Sequence, residues 1–299
     1  MGFARGLKTI VVATDLHGQS EAALEYARRL ATGYGARIVL AHGLDPMDYA
    51  AVDAVPNGVR AGLTEQARAV LDNLAGDLLR AGIRSHSEIR EGAVAEMLLE
   101  VARQYEAGLI VIGTKGSEGA GPVVVGAIAE RLVRMAPCPV LAVAADWNAG
   151  PCRPTPGGPV LLAIERNEAM AAAAKTACSL AETFARTLLV LHVRRSAEES
   201  VVSDFTTAGL EGLGIQPGGK FPVQSIVKDG NPADAIQAAI AQFRPCILVA
   251  GVKRTSGTPG PHGTAFALLS RSRAPVLCVP PEPEGTELER EACASLETI

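Results

Sequence analysis

The chain repeats itself. Thr9-Ile-Val-Val-Ala-Thr-Asp15 is echoed by Pro159-Val-Leu-Leu-Ala-Ile-Glu165, and Ile38-Val-Leu-Ala-His42 by Leu188-Leu-Val-Leu-His192, each 150 residues further on. Later, Glu91-Gly-Ala-Val-Ala-Glu96 matches Asp229-Gly-Asn-Pro-Ala-Asp234, and Leu109-Ile-Val-Ile-Gly113 matches Ile247-Leu-Val-Ala-Gly251. The spacing there is 138, at Gly113/Gly251 and again at Pro137/Pro275, so the second copy is twelve residues shorter between His192 and Asp229. A duplication on this scale means that one copy's architecture is built twice, with each copy able to present its apolar surface to the other. Asp146-Trp-Asn-Ala-Gly-Pro-Cys-Arg-Pro-Thr-Pro-Gly-Gly158 is dense in Pro and Gly and reads as a linker. The expected units are 1–146, a linker 147–158, a second unit 159–281, and a polar, Glu-rich tail 282–299.

Within each copy, short apolar runs alternate with longer amphipathic ones. Strands are expected near 9–14, 37–42, 85–90, 109–113 and 140–144, with helices near 20–32, 63–81, 94–105 and 125–135 between them. Ser20 stands where an N-cap belongs. The second copy repeats the strands near 160–164, 188–192, 223–227, 246–250 and 276–279, and Asn231-Pro232 forms a strong helix start. Runs such as Ile10-Val-Val-Ala13 and Leu109-Ile-Val-Ile112 are apolar on both faces, which suits parallel strands covered by helices on each side. The expected fold is α/β, with two tandem doubly wound parallel five-stranded sheets of Rossmann-like strand order 3-2-1-4-5, flanked by helices. The last strand of each copy, at 140–144 and 276–279, ends its sheet and is strongly apolar, so the two should pair and join the copies as an intramolecular pseudo-dimer.

Composition narrows the function classes. Apolar residues make up 48% and charged residues 20% of 299, enough for a packed core, and 28 basic against 32 acidic side chains leave a net charge of −4. Without basic runs, and with aromatics at 4%, nothing favours nucleic acid. No apolar run approaches the roughly 20 residues of a membrane span, and no secretory apolar region follows Met1, so a cytoplasmic protein without membrane partners is expected. The six cysteines, Cys138, Cys152, Cys178, Cys246, Cys278 and Cys293, form no CxxC pair and lie away from histidines, so they read as small buried thiols and no metal site is expected.

In an open α/β sheet, ligands bind beyond the carboxyl ends of the strands, where the winding direction reverses. Two loops occupy such places: the one after the first strand, at Ala13-Thr14-Asp15, and the Gly-rich one after the fourth, Gly113-Thr-Lys-Gly116-Ser-Glu-Gly119-Ala-Gly121, which leads to a helix near Gly126. A glycine-rich segment entering a helix N-terminus can aim backbone N–H groups at an anion, although the same glycines also suit a plain surface loop. Lys115 is the loop's cation, more simply solvated than bound to phosphate. His42 and His192 sit at equivalent strand ends, which suggests packing or backbone support rather than catalysis.

Gly113-x2-Gly116-x9-Gly126, preceded by the strand at 109–112 and followed by Ala129-Glu-Arg-Leu-Val-Arg-Met-Ala-Pro-Cys-Pro-Val-Leu141, resembles the nucleotide-binding signature of the universal stress protein family. Ile10-Val-Val-Ala-Thr-Asp15, Ser20-Glu-Ala-Ala-Leu-Glu-Tyr26 and Gly35-Ala-Arg-Ile-Val-Leu-Ala-His42 are similar to that family's opening strand, helix and strand. The resemblance covers both copies and implies a tandem member that binds ATP, alone or with magnesium. It implies contacts to adenine and ribose from Ala13, Thr14, Asp15 and Gly43, with Asp15 accepting from ribose hydroxyls. Ile112 and Gly113 would close the ribose side, and Gly116, Gly126, Ala127 and Ile128 would offer N–H groups to the phosphates. The family's usual Ser or Thr after the last glycine is Ala127 here, which removes one donor and weakens binding by up to about 100-fold.

The resemblance implies a stress-response protein in which nucleotide acts as a conformational ligand. A slow ATPase or nucleotidyl-transfer enzyme is the alternative, but HxGH and GxxxxGK[ST] elements are absent and no catalytic residue is nominated. A structural dimer module without ligand is a third possibility, and a homodimer beyond the pseudo-dimer stays open. Only the first copy is expected to bind ATP well. In the second, Glu165 adds a methylene where Asp15 stands, Arg254 replaces the second motif glycine, Thr264 falls at the last one, and Pro259 and Pro261 lack N–H donors.

Overall fold

The computed structural model describes residues 6–16, 20–44, 57–114, 126–147, 157–165, 167–194, 207–253 and 264–282. The first half runs β1 (Thr9–Ala13), α1 (Glu21–Tyr34), β2 (Arg37–Leu44), α2 (Asn57–Arg80), β3 (Ser85–Glu91), α3 (Val94–Gln104), β4 (Leu109–Thr114), α4 (Ala127–Met135) and β5 (Val140–Ala144). The second runs β6 (Val160–Ile164), α5 (Met170–Thr183), β7 (Leu188–Arg194), α6 (Thr207–Gly212), β8 (Val223–Asp229), α7 (Pro232–Phe243), β9 (Ile247–Gly251), α8 (Thr264–Arg271) and β10 (Val276–Val279). The shortfall between His192 and Asp229 falls where the long α2 gives way to the six-residue α6.

Each half has parallel strands in the order 3-2-1-4-5, and the two do not remain separate sheets. They form one ten-stranded sheet, β3-β2-β1-β4-β5-β10-β9-β6-β7-β8, in which the only antiparallel pairing among the described strands joins β5 to β10. Leu277 stands opposite Leu141 and Val276 opposite Ala142, and all four are buried. Two apolar edges that would otherwise template aggregation thus cover each other.

Alternation along the strands divides the core into two layers that both run through the two halves. Ile10 and Val12 point to one face with α1, α2, α5 and α6; Val11 points to the other with α3, α4, α7 and α8. Ala23, Tyr26, Ala27, Leu30 and Ala31 form the buried stripe of α1 at spacings of three and four. Trp147, read above as the first linker residue, is 4% exposed and packs edge-on against Tyr26 at 5.3 Å.

Asn231 caps α7 as expected, its side chain accepting from the N–H groups of Ala233 and Asp234. Ser20 does not cap α1. Its backbone is already helical, with φ −85° and ψ −11°, whereas a capping residue is normally extended, and its hydroxyl is engaged elsewhere. Cys138 and Cys278 are buried, and desolvation pushes both thiols up to about 12, so they remain protonated and inert at neutral pH.

The join sets a stability prediction. Leu277→Ala removes a fully buried side chain from the middle of the β5–β10 contact and should lower unfolding free energy by about 2–5 kcal/mol, with both halves lost together in urea denaturation followed by circular dichroism.

Candidate functional site

β1 lies between β2 and β4, so the chain leaves its carboxyl end toward one face through α1 and returns to β4 from the other face through α3. The winding reverses there, opening a crevice between the strand ends. Ala13, Thr14 and Asp15 form one lip. Ile112 and Gly113 at the end of β4 form the other, with Ile112 buried. Gly126, Ala127 and Ile128 open α4 and are exposed. Gly116, Lys115, Glu118, Gly119 and Gly121 lie outside the described residues.

A chain of hydrogen bonds holds the first lip. Ser20 Oγ donates to Oδ1 of Asp15 at 2.6 Å and stands 3.1 Å from Thr14 Oγ1. Since the one Ser20 proton goes to the carboxylate, Thr14 donates to Ser20, and Thr14 Oγ1 in turn accepts from the N–H of Leu16 at 3.1 Å. His42 donates through Nδ1 to the carbonyl of Thr14 at 2.8 Å, while the Thr14 N–H donates to the carbonyl of Ala41. His42 thereby supports backbone, as its strand-end position suggests. Leu16 has φ 59°, a left-handed conformation that costs an L residue about 1–2 kcal/mol, so the turn after Asp15 is held against strain by these bonds. Asp15 itself is exposed, its carboxylate aimed by Ser20.

On the other side, the first helical bond of α4 runs from the Glu130 N–H to the Gly126 carbonyl, so the N–H groups of Ala127, Ile128 and Ala129 have no acceptor within the helix. Among the described residues no side chain caps this end. A Cβ added to Gly126 would meet nothing within 4 Å, and its φ of −61° suits any residue. Neither backbone conformation nor crowding by the protein explains a glycine at that position. Gly43 differs: a Cβ there would lie 3.0 Å from Val94 Cγ2 and 3.1 Å from Met97 Cε, so its missing side chain admits α3. Only the backbone of Gly43 is left for a ligand.

At the corresponding strand end in the second half, the loop after β6 packs on β9. Asn167, after β6, donates through Nδ2 to the carbonyl of Gly251 at 3.4 Å and accepts at Oδ1 from the Ala169 N–H at 2.9 Å. A Cβ at Gly251 would lie 3.2 Å from both Asn167 Oδ1 and Ala169 Cβ. Gly251, the counterpart of Gly113, is therefore covered by the loop that follows the first strand of its own half. Glu165 occupies the position of Asp15 and Thr264 begins α8, while Arg254, Pro259, Pro261 and Gly263 lie outside the described residues.

The part played by Ser20 escaped the sequence pattern, where a serine before a helix signals a cap; so did Asn167, an unremarkable loop residue until it meets Gly251. Among the described residues no group of three or more His, Cys, Asp or Glu side chains is placed to hold a metal ion. No helix among them is long and apolar enough to cross a membrane.

The family model for the universal stress protein family matches residues 6–144 and again 158–280. A universal stress protein of Methanocaldococcus jannaschii is 30% identical over 138 residues, 46% of this chain and 81% of the relative. One from Thermus aquaticus is 30% identical over 137 residues, 46% of this chain and 98% of the relative. A solved universal stress protein structure from Archaeoglobus fulgidus has a TM-score of 0.73 at 18% identity, covering 91% of this chain and 98% of that one, a likeness of fold.

Removing the hydroxyl that ties Asp15 to Thr14 tests the lip directly. Ser20→Ala should cost roughly 1 kcal/mol in urea denaturation, a modest loss because Asp15 is solvated, while leaving secondary structure by circular dichroism unchanged.

Proposed function

The chain belongs to the universal stress protein family, and from that premise we propose that its first half binds an adenine nucleotide, ATP, in the crevice between β1 and β4. The observation that carries this reading is the pairing of two unlike lips. One is a carboxylate aimed by Ser20, able to accept from sugar hydroxyls. The other is an uncapped helix end whose three N–H groups and positive dipole favour phosphate, behind a glycine that leaves open space for close approach. On this reading Ala13, Thr14 and the backbone of Gly43 serve the base and sugar, and Ala127 and Ile128 the phosphates, with Gly116, outside the described residues, assigned to the phosphates by the family resemblance alone. No donor set among the described residues suits a protein-held magnesium ion, so any magnesium would accompany the phosphates.

The nucleotide acts as a conformational ligand, bridging the β1 loop and the start of α4. The second half serves as a structural partner, with Asn167 already seated on Gly251. We take residues 1–146 and 159–281 as the two units of this arrangement.

Titration calorimetry with ATP checks the site. Asp15→Ala and Gly126→Val should each weaken binding by about 10–100-fold without unfolding the protein, and Ala127→Ser, which restores a hydroxyl donor, should tighten it. No change in any of the three removes this crevice from consideration. Stoichiometry checks the asymmetry: one ATP per chain is expected, and two of similar affinity would show the second half to be open. Steady phosphate release at enzymatic rates would turn the assignment toward an ATPase.

A further inference from the structure

A second crevice, of about 890 Å³, lies where the two halves meet on the face covered by α1 and α5. Tyr26 and Leu30 of α1, Phe184 at the end of α5, Trp147 and the start of β9 at Ile247 supply its apolar wall. The Tyr26 hydroxyl donates to the carbonyl of Cys246 at 2.9 Å, tying α1 of the first half to the second half. Burial holds this phenol well above its ordinary pKa, so it remains a neutral donor.

The charged groups lining this space are unbalanced. Four face it: Glu25, Arg28, Arg29 and Arg186. Glu25 pairs with Arg29 at 3.2 Å, and the Arg29 guanidinium also lies 5.0 Å over the Trp147 ring. Arg28 and Arg186 are half-buried, and no carboxylate among the described residues pairs with either. Arg28 comes from the first half and Arg186 from the second. A chain of net charge −4 thus gathers, in one apolar-walled space, two guanidinium groups with no carboxylate partner among the described residues. Partial desolvation of an unpaired cation is unfavourable, and a planar guanidinium is the side chain best matched to carboxylate or phosphate oxygens.

We propose that this crevice binds a small organic dianion, a phosphomonoester or dicarboxylate carried on a flat apolar body. Two unpaired cations call for two negative charges. The volume is that of a metabolite site and far exceeds an inorganic ion, and the half-buried Phe184 offers a surface for a ring. Because Arg28 and Arg186 belong to different halves, the ligand clamps the halves together and raises the stability of their joint unfolding by mass action. The site is separate from the nucleotide crevice and does not depend on it.

Trp147 is the chain's single tryptophan and lines the crevice beneath Arg29, so its fluorescence reports occupancy. The full chain is titrated with phenyl phosphate and with phthalate, and with inorganic phosphate and phenol as the separated halves of that chemistry. At least one organic dianion should give a saturable change, binding at least 10-fold more tightly than inorganic phosphate or phenol; which of the two does so identifies the acid group. Arg28→Gln and Arg186→Gln should each weaken it by about 10-fold or more. Neither arginine has a carboxylate partner to lose among the described residues, so melting temperatures without ligand should not fall, and Arg28→Ala repeats the test if Arg28→Gln folds poorly. Asp15→Ala should leave the titration unchanged. Absence of a saturable signal, inorganic phosphate binding as tightly as the organic probes, or equal loss with Asp15→Ala would each overturn the proposal.

Discussion

The antiparallel contact between β5 and β10 governs the rest of the molecule. Each half is a parallel sheet whose last strand is buried on both faces, and such a strand left unpaired would expose a row of backbone donors and acceptors beside apolar side chains. Pairing the two edges, with Leu141 opposite Leu277, satisfies both at once and makes a single ten-stranded sheet with two continuous apolar layers. All strands of one half run opposite to those of the other, so the carboxyl ends of the two halves open on opposite edges of the sheet. The loops that follow the first strand of each half are thereby kept apart.

These loops are held in different ways. In the first half Ser20, Thr14 and His42 bond to one another's side chains and backbone and hold the left-handed turn at Leu16. In the second half Asn167 turns back and hydrogen-bonds the strand end that a ligand would approach. The two strand ends thus differ in which side chain each engages: Asp15 is bonded from its own helix start, whereas Asn167 reaches across to the neighbouring strand.

Joining the halves also places side chains together that neither half could bring together alone. Tyr34 meets Ser179 and Phe184, Tyr26 reaches the backbone of Cys246, and Arg134 lies over the Phe266 ring on the opposite face. Beside them lies the open space near Arg28, Arg186 and Trp147, and its excess positive charge distinguishes it from a simple packing defect.

Much of this was legible in the residues. The repeat, the strand and helix order, the apolar edges at 140–144 and 276–279, the Asn231 cap and the crevice at the end of β1 follow from periodicity, turn chemistry and burial, which are properties of neighbouring residues. Other features were decided only by the tertiary structure. Ser20 serves Asp15 instead of capping its helix because its backbone is already helical when the chain reaches it. Gly43 is small for Val94 and Met97, and Asn167 matters because Gly251 arrives beside it. Arg28 and Arg186, far apart along the chain, share a crevice because two sheets join edge to edge. Local pattern determines which face of an element is apolar; which side chains then meet across that face depends on register and strand direction, and those are fixed only when distant segments pack.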